Sequence, residues 1–295
     1  MTRIGPAGWA YKDWSGVVYP APKPKGFHEL SFLAGYFDTI EINTSFYRPV
    51  SAKAAASWLE RILANPRFRF TAKLWRGFTH ERNASSADEQ VFKDGLRPLF
   101  DAGRLGALLL QFPWSFRNTA ENRTYVAKLR ERFGEYPLVL EVRHASWSEP
   151  GVVSLLEELD LGLCNIDQPL FKRSIQPTGL VTSPVGYVRL HGRNYQAWFT
   201  ESRYQGERYD YLYSPEELAP WVDRIQAVEQ TARETYVVTN NHYLGKAIVN
   251  AFEMSSILTG EPVTAPEELL ARYPELEAYT AERRLPPRQL SFDAE

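Results

Sequence analysis

The stretch YPLVLEVR (136–143) begins as an apolar β-strand and ends in two charged side chains, Glu141 and Arg143. Two other stretches show the same pattern: FDTIEIN (37–43) and VGYVRLH (185–191). Their polar ends are Glu41, Arg189 and His191. One polar strand end is ordinary, but the same arrangement on several strands predicts a shared polar pole. In a parallel barrel, active sites lie at the C-terminal pole, so the pattern locates a site without naming its reaction.

Strand and helix patterns alternate along most of the chain. The strand candidates are 3–9, 37–43, 67–74, 105–112, 137–143, 161–167, 185–191 and 235–241. The helical patterns cover 28–37, 51–64, 85–100, 119–133, 150–159, 214–231 and 244–260. This alternation predicts the α/β class and a parallel sheet, and its size matches a TIM-like (β/α)8 barrel. An open doubly wound sheet is the alternative, but GWAYKDW (8–14), which is not a Gly-rich phosphate loop, follows the first strand.

No linker-like segment divides the chain, so residues 1–295 are expected to form a single barrel domain. A C-terminal helix and an irregular tail are expected over about 265–295. The longest loop, 192–213, is rich in Tyr and charge and has a length typical of lids or binding loops.

Composition narrows the class of protein. Hydrophobic residues make up 44% of the 295 residues, which indicates a globular fold. A net charge of -2 disfavours a broad basic surface for nucleic acid. The one cysteine, Cys164, excludes an internal disulfide and a multi-cysteine metal cluster, and it is expected to be a packed thiol. Without a membrane-spanning apolar run or a signal-peptide core, a cytoplasmic protein is expected.

Strand alternation predicts which polar side chains point into the barrel, because the opposite face must pack against helices. The predicted inward set is Thr39, Glu41, Asn43, Thr71, Lys73, Gln111, Glu141, Arg143, Asn165, Asp167, Arg189 and His191. Cys164 and Ile166 are then expected to face the helices. The eighth strand is ambiguous, but Asn240 and Asn241 stand at its end. Burying so many charges is costly unless they are paired, which favours a functional pocket over plain stabilisation.

The chain resembles the domain of unknown function 72 (YecE-like) family over nearly its whole length. The motifs that carry the resemblance are GWAYKDWSGVVYP (8–20), EINTSFY (41–47), the pattern from Lys73 to Thr79-His80, LLLQFPWSF (108–116), LEVRHASW (140–147), VRLHGR (188–193) and NNHYLGKAIVNA (240–251). The resemblance implies a TIM-like barrel and implies no reaction. The family motifs fall on Glu41, Asn43, Lys73, His80, Glu141, Arg143, His144, Trp147, Arg189, His191 and Asn241.

These residues favour acid–base chemistry on a small polar, anionic, sugar-like substrate. The predicted catalytic residues are Glu41, Glu141, His191 and Lys73. The predicted substrate-binding residues are Asn43, Tyr47, His80, Gln111, Arg143, His144, Trp147, Asp167, Arg189, Asn240 and Asn241. In this hypothesis Glu41 or Glu141 is the base, His191 moves a proton, and Arg143 and Arg189 anchor the anion.

Three other functions remain open at this stage. A metal-dependent isomerase or endonuclease-like barrel would use Glu41, Glu141, Asp167 and His191 as ligands, although no cofactor is predicted and nearby cations would compete with a divalent metal. A glycosidase would use the two glutamates across a glycosidic bond. A non-catalytic barrel that binds a metabolite, or nucleic acid despite the net charge, is the third.

Overall fold

The protein is an eight-stranded parallel barrel surrounded by helices, and its computed structural model describes residues 1–198 and 206–281. The strands are β1 (Thr2–Pro6), β2 (Thr39–Ile42), β3 (Arg69–Lys73), β4 (Leu105–Gln111), β5 (Leu138–Glu141), β6 (Gly162–Asp167), β7 (Val185–Leu190) and β8 (Glu234–Thr239). Their order, β1-β8-β7-β6-β5-β4-β3-β2, and their parallel pairing confirm the predicted TIM-like (β/α)8 fold. All eight predicted strands are present.

The α-helices follow the predicted pattern, with short additional turns at the strand ends. They are α1 (Glu29–Ala34), α2 (Thr44–Tyr47), α3 (Ala52–Arg61), α4 (Arg76–Thr79), α5 (Ser86–Asp101), α6 (Ala120–Arg132), α7 (Val152–Glu158), α8 (Pro215–Thr231), α9 (Lys246–Thr259) and α10 (Glu267–Arg272). Single 3-10 turns lie at Lys12–Trp14, Ala145–Ser148, Glu207–Tyr209, Tyr243–Gly245 and Pro274–Tyr279. Ser51 caps α3, since its side chain accepts the Ala54 N–H at 3.2 Å.

Two features of the layout matter for the site. The β6–β7 connection, residues 168–184, is described throughout and contains no helix, unlike the other long connections. The expected C-terminal helix is present as α10, while residues 282–295 of the expected tail lie outside the described residues.

The seam between β1 and β2 closes the barrel with little backbone pairing. One isolated bridge joins Ala7 to Glu41, and the Gly8 N–H donates to the Glu41 carbonyl at 2.9 Å. The strands approach very closely lower down, because a Cβ on Gly5 would lie 1.9 Å from the Thr39 carbonyl oxygen. Glycine at this position is therefore a requirement of closure.

The main core lies between the strands and the helices. Ile40, Ile42, Leu108 and Leu140 are buried on the helix-facing side, as strand alternation predicts. Each such side chain contributes roughly 1.5–3 kcal/mol by leaving water. No helix in the described part of the chain is long and apolar enough to cross a membrane.

Candidate active site at the C-terminal pole

Arg189 lies at the centre of the barrel and joins its two buried carboxylates. Its Nη2 donates to Glu41 Oε1 at 2.8 Å, and its Nη1 donates to Glu141 Oε2. Nη1 also lies 3.3 Å from Gln111 Oε1. All three charged side chains are fully buried. A guanidinium fork suits this bridging geometry, and the ion pairs offset the large desolvation cost of the carboxylates.

Glu141 is saturated by donors. Its Oε1 accepts from Arg143 Nη2 at 2.7 Å and lies 3.2 Å from His191 Nε2, while Oε2 accepts from Arg189. Burial alone would raise the pKa of Glu141, but Arg189, His191 and Arg143 outweigh burial and hold it well below 4.5. Glu141 is therefore a carboxylate with both oxygens occupied.

Glu41 is held from three directions. Its Oε1 accepts from Arg189 and lies 3.4 Å from Lys73 Nζ, and its Oε2 lies 2.9 Å from the Tyr187 hydroxyl. That hydroxyl also lies 2.8 Å from Thr71 Oγ1, so its one proton goes to the carboxylate and it accepts from Thr71. Sequence reasoning missed Tyr187, although strand alternation from Arg189 would have placed it on the inward face.

His191 is a neutral ring at neutral pH. Complete burial lowers its pKa to about 3, even though Glu141 acts in the opposite direction. Its single ring proton fits on Nε2, facing Glu141, because Nδ1 lies 3.0 Å from the amide nitrogen of Asn240 and accepts from it. The ring of Trp198 covers this region, with centroids 6.3 Å apart.

A cavity of about 1080 Å³ opens above this cluster. Its lining comprises Gly8, Trp9, Ala10, Tyr11, Lys12, Asp13, Asn43, Thr44, Phe46, Tyr47, Trp58, Lys73, Arg76, His80, Gln111, Gly206, Arg208, Tyr209, Asn240, His242 and Tyr243. The predicted residues Asn43, Tyr47, Lys73, His80, Gln111 and Asn240 thus come together in one space. Glu41, Glu141, Arg189 and His191 lie beneath the cavity with no exposed surface, and Lys73 connects the two layers.

Lys73 ends β3 and has an unusual environment for an amine. Burial and the neighbouring Arg189 lower its pKa to about 8, against the opposing pull of Glu41. Its side chain keeps 11% of its surface exposed, towards the cavity. Lys73 is therefore reachable by a ligand and changes protonation near neutral pH.

Two buried polar atoms in the cavity wall have no hydrogen-bond partner among the described residues. They are Asn43 Oδ1 and His242 Nδ1. The Asn43 amide nitrogen is used, because it donates to the Tyr11 hydroxyl at 3.0 Å. The His242 ring stacks on Tyr11 at 4.2 Å, and burial lowers the pKa of His242 to about 4, so its free nitrogen can accept. Such atoms are costly to bury unless a ligand or water completes their bonding.

The upper wall of the cavity carries mostly positive charge. Lys12, Arg76 and Arg208 line it together with one acid, Asp13, whose Oδ2 accepts the Leu244 N–H at 2.6 Å. Arg76 also forms an ion pair with Glu81, in which Arg76 Nε lies 2.7 Å from Glu81 Oε1.

Sequence reasoning did not select these wall residues. The available signal was GWAYKDW, which follows the first strand with three aromatic residues and a lysine.

The prediction that Asp167 points into the barrel is wrong. β6 pairs Cys164 with Tyr187 and Ile166 with Arg189, and partners in a ladder share a face, so Cys164 and Ile166 point inward. Asp167 lies on the outer face, where it accepts from Arg193 Nη2, the Tyr213 hydroxyl and Trp221 Nε1, each at 2.7 Å. Hydrogen-bond donors on Arg193, Tyr213 and the α8 residue Trp221 lie over this strand end, so a carboxylate takes the place of an apolar side chain there.

Asn165, which was also predicted to point inward, likewise lies on the outer face of β6. Its amide nitrogen donates to the Leu180 carbonyl at 2.9 Å, and its Oδ1 accepts from Thr178 at 2.6 Å. The helix-free β6–β7 connection presents backbone groups that a polar strand residue can satisfy. Cys164 is a free, buried thiol, as predicted, although it packs inside the barrel.

Three further predicted binding residues lie outside the cavity lining. Trp147 is buried, with its indole N–H on the Phe116 carbonyl at 2.9 Å. The His144 ring accepts the Ser146 N–H at 3.1 Å and caps a 3-10 turn. Asn241 donates to the Tyr211 carbonyl at 2.8 Å. Each stabilises a connection near the pole. Of the predicted lid loop, residues 199–205 lie outside the described residues.

The anion anchors predicted from sequence, and the residues that the alternative metal-dependent function would use as ligands, are arranged differently from expectation. Arg143 and Arg189 bind carboxylates of the barrel itself. The Asp167 carboxylate points to the outer face of β6, away from Glu41 and Glu141, although the Asp167 backbone carbonyl accepts the His191 N–H at 3.0 Å. Within the described ranges, no group of three His, Cys, Asp or Glu side chains could hold a metal ion.

Comparisons with known proteins agree with this architecture. A family described as "Protein of unknown function DUF72" matches residues 3–272. The chain belongs to this family. A DUF72 family protein from Thermotoga maritima MSB8 has a solved structure with a TM-score of 0.75 and 31% identity, covering 88% of this chain and 99% of that one.

Other DUF72 relatives show the same likeness. A solved DUF72 protein from Enterococcus faecalis V583 has a TM-score of 0.75 and 25% identity, covering 88% of this chain and 96% of that one. The UPF0759 protein YunF of Bacillus subtilis (strain 168) is 28% identical over 273 residues, which is 88% of this chain and 95% of that protein. The family resemblance predicted from sequence is confirmed.

Proposed function

We propose that this DUF72 protein is an enzyme that applies acid–base chemistry to a small anionic, sugar-like substrate in the polar cavity. The observation that carries the proposal is the cavity of about 1080 Å³ in which cationic side chains, aromatic rings and unpartnered acceptors surround Lys73. Its volume suits a small metabolite.

The charge of the cavity supports an anionic substrate. Lys12, Arg76 and Arg208 line the upper wall, and Lys73 lies at the floor. The carboxylates below do not cancel this charge, because Arg189 and Arg143 already neutralise them. A phosphate or carboxylate group would therefore enter a positive field and bind the wall cations by charge-assisted hydrogen bonds.

The rings and acceptors support a hydroxylated, ring-shaped substrate. Trp9, Tyr11 and Tyr209 present aromatic surface of the kind that stacks on a sugar ring. Asn43 Oδ1 and His242 Nδ1 offer two acceptors without partners, which suit hydroxyl donors. Together with the cations, these features favour a sugar phosphate or sugar acid over a neutral sugar.

Lys73 is the group that we assign to proton transfer. Its pKa of about 8 lets it accept or donate a proton near neutral pH, and it faces the cavity. Glu41, Arg189 and Glu141 then act as positioning residues, since their charged atoms are buried and occupied by each other. His191 holds Asn240 at the cavity floor through its Nδ1.

Calorimetric titration with ribose 5-phosphate and with ribose tests the binding part of the proposal. We expect the phosphate ester to bind more tightly than ribose, and the Arg76→Gln/Arg208→Gln variant to lose roughly three- to tenfold of its affinity. Arg97→Gln, on the outer face of α5 and 56% exposed, is the matched control and should bind as the native protein does. Equal binding of the two sugars by the native protein would contradict the anionic preference.

A substrate screen over phosphorylated and carboxylated sugars tests the catalytic part. Lys73→Met should abolish turnover while the Arg97→Gln control retains it, because methionine keeps the volume and removes the titrating amine. Full turnover in Lys73→Met would remove Lys73 from the mechanism.

A further inference from the structure

Lys73 is placed as a nucleophile as well as a proton carrier. It stands at the end of a barrel strand, at the floor of the cavity, where the fold puts its reacting groups. The other lysine in the lining, Lys12, is exposed at the rim on a 3-10 turn. A ligand held by the wall cations would thus meet the Lys73 amine at the deepest point of the cavity.

Two contacts favour a cation at Lys73 Nζ, against the burial and the Arg189 charge that lower the pKa of the amine. Glu41 Oε1 lies 3.4 Å from Nζ, and the Phe46 ring lies 5.9 Å away with its face towards it. Glu41 is fixed by Arg189 and Tyr187, so it cannot swing away when Nζ becomes substituted. A protonated imine carries the same positive charge at the same atom as an ammonium group, and these contacts would serve both.

We infer that Lys73 is a covalent catalyst whose amine forms an imine with the carbonyl carbon of a phosphorylated or carboxylated aldehyde or ketone. This inference rests on the proposed function, because it narrows the anionic substrate to one that carries a carbonyl group. A lysine amine that is desolvated or stands next to another cation is a known arrangement for imine formation. Here Lys73 Nζ and Arg189 Nη2 lie 3.4 Å and 2.8 Å from the same oxygen, Glu41 Oε1.

Imine formation releases one molecule of water. The Nζ lone pair adds to the carbonyl carbon, the C=O π electrons move to oxygen, and that oxygen takes up a proton. Loss of water from the resulting carbinolamine gives the protonated imine, which withdraws electrons from the neighbouring carbon. The reaction requires the unprotonated amine. Because burial and Arg189 lower the pKa of Lys73 to about 8, a much larger fraction of this amine than of an ordinary lysine is unprotonated near neutral pH.

Reductive trapping with glycolaldehyde phosphate and sodium cyanoborohydride tests the inference on the native protein. The cyanoborohydride reduces an imine to a stable secondary amine, and peptide mass mapping then identifies the modified lysine. We expect Lys73 to be labelled about tenfold faster than Lys53, an exposed lysine on α3. Neutral glycolaldehyde should label Lys73 more slowly, because it lacks the group that the wall cations hold.

Two variants complete the test. Lys73→Arg keeps a positive charge beside Glu41 but cannot form an imine, so cavity labelling should disappear while calorimetric binding of ribose 5-phosphate remains. Lys53→Arg is the matched control and should leave Lys73 labelling unchanged. Because the site mapping uses the native chain, it gives a result even if Lys73→Arg fails to fold.

The outcomes separate the inference from the proposed function. Label spread evenly over exposed lysines, with tight binding of ribose 5-phosphate, would overturn imine formation and leave the anionic enzyme standing. Even labelling together with equal binding of ribose and its phosphate would overturn both.

Discussion

Replacing Arg189 by methionine is the sharpest test of how the charged cluster is held. Arg189→Met removes the one cation shared by Glu41 and Glu141, whose carboxylates are fully buried. Removing one partner of a buried ion pair costs roughly 3–5 kcal/mol, because the remaining charge is left uncompensated. Two carboxylates are affected, but Lys73 and Arg143 still reach them, so we expect a loss of about 4 kcal/mol.

Urea unfolding followed by tryptophan fluorescence measures this loss. With a denaturant slope of about 3 kcal/mol/M, the midpoint should fall by about 1.3 M. Arg189→Lys keeps the charge and loses the fork, so its midpoint should lie between those of the native protein and Arg189→Met. The triple variant Arg189→Met/Glu41→Gln/Glu141→Gln should recover at least half of the loss, since the amides carry no charge to desolvate.

The pH dependence has a definite sign. In the native protein the pKa of Glu141 lies well below 4.5, so the stability contributed by its ionised form is present above pH 4.5 and is lost as pH falls through the folded pKa. Without Arg189, the largest charge that lowers the pKa of Glu141 is lost, so that pKa rises and the folded variant takes up a proton at a higher pH than the native protein does. The deficit of Arg189→Met should therefore be smaller at pH 5 than at pH 7.5. A loss below about 1 kcal/mol, or no recovery in the triple variant, would refute the proposed role of Arg189.

Further predictions concern stability at individual positions. Burial lowers the pKa of His191 from 6.5 to about 3 in the folded chain, so the stability contributed by its neutral ring is present above pH 6.5 and is lost as pH falls towards pH 3. His191→Asn should therefore make urea-unfolding stability fall less steeply between pH 6.5 and pH 4.5 than in the native protein, and an unchanged slope would contradict this. Asp167→Asn should lower the free energy of unfolding by about 2–3 kcal/mol, because its bonds to Arg193 are weakened. Calorimetric binding of ribose 5-phosphate should stay unchanged, and a tenfold loss of affinity would show that Asp167 takes part in ligand binding. Gly5→Ala should cost about 3 kcal/mol or prevent folding, because its Cβ would lie 1.9 Å from the Thr39 carbonyl oxygen; a soluble variant with native melting temperature would contradict this.

Strand alternation predicted the direction of Glu41, Glu141 and Arg189 because helices cover those strands and require an apolar outer face. The same rule failed at β6, because the residues that cover its outer face present hydrogen-bond donors, among them the indole N–H of Trp221 on α8, which donates to Asp167. The rule depends on what covers each strand, and the sequence of the strand does not contain that information.

The pairing inside the barrel could not be predicted from sequence. Arg189 and Glu41 are 148 positions apart, and nothing in either strand shows that one guanidinium would occupy both glutamates. Of the residues predicted to react, Glu41, Glu141 and His191 lie beneath the cavity with no exposed surface, whereas Lys73 lines it. The family motifs likewise identified Trp147 without separating a packed indole from a binding surface.

The seam between β1 and β2 gives ligand binding a mechanical consequence. Gly8, Trp9 and Tyr11 follow β1, whereas Asn43 follows β2, so the cavity lies across the join that backbone hydrogen bonds close least completely. A ligand that contacts residues on both sides of this join holds β1 and β2 together and so opposes separation of the two strands. At a concentration of 100 times its dissociation constant, a ligand that binds only the folded chain stabilises it by about 2.7 kcal/mol. Occupancy of the cavity and integrity of the barrel wall are therefore linked through the same few residues.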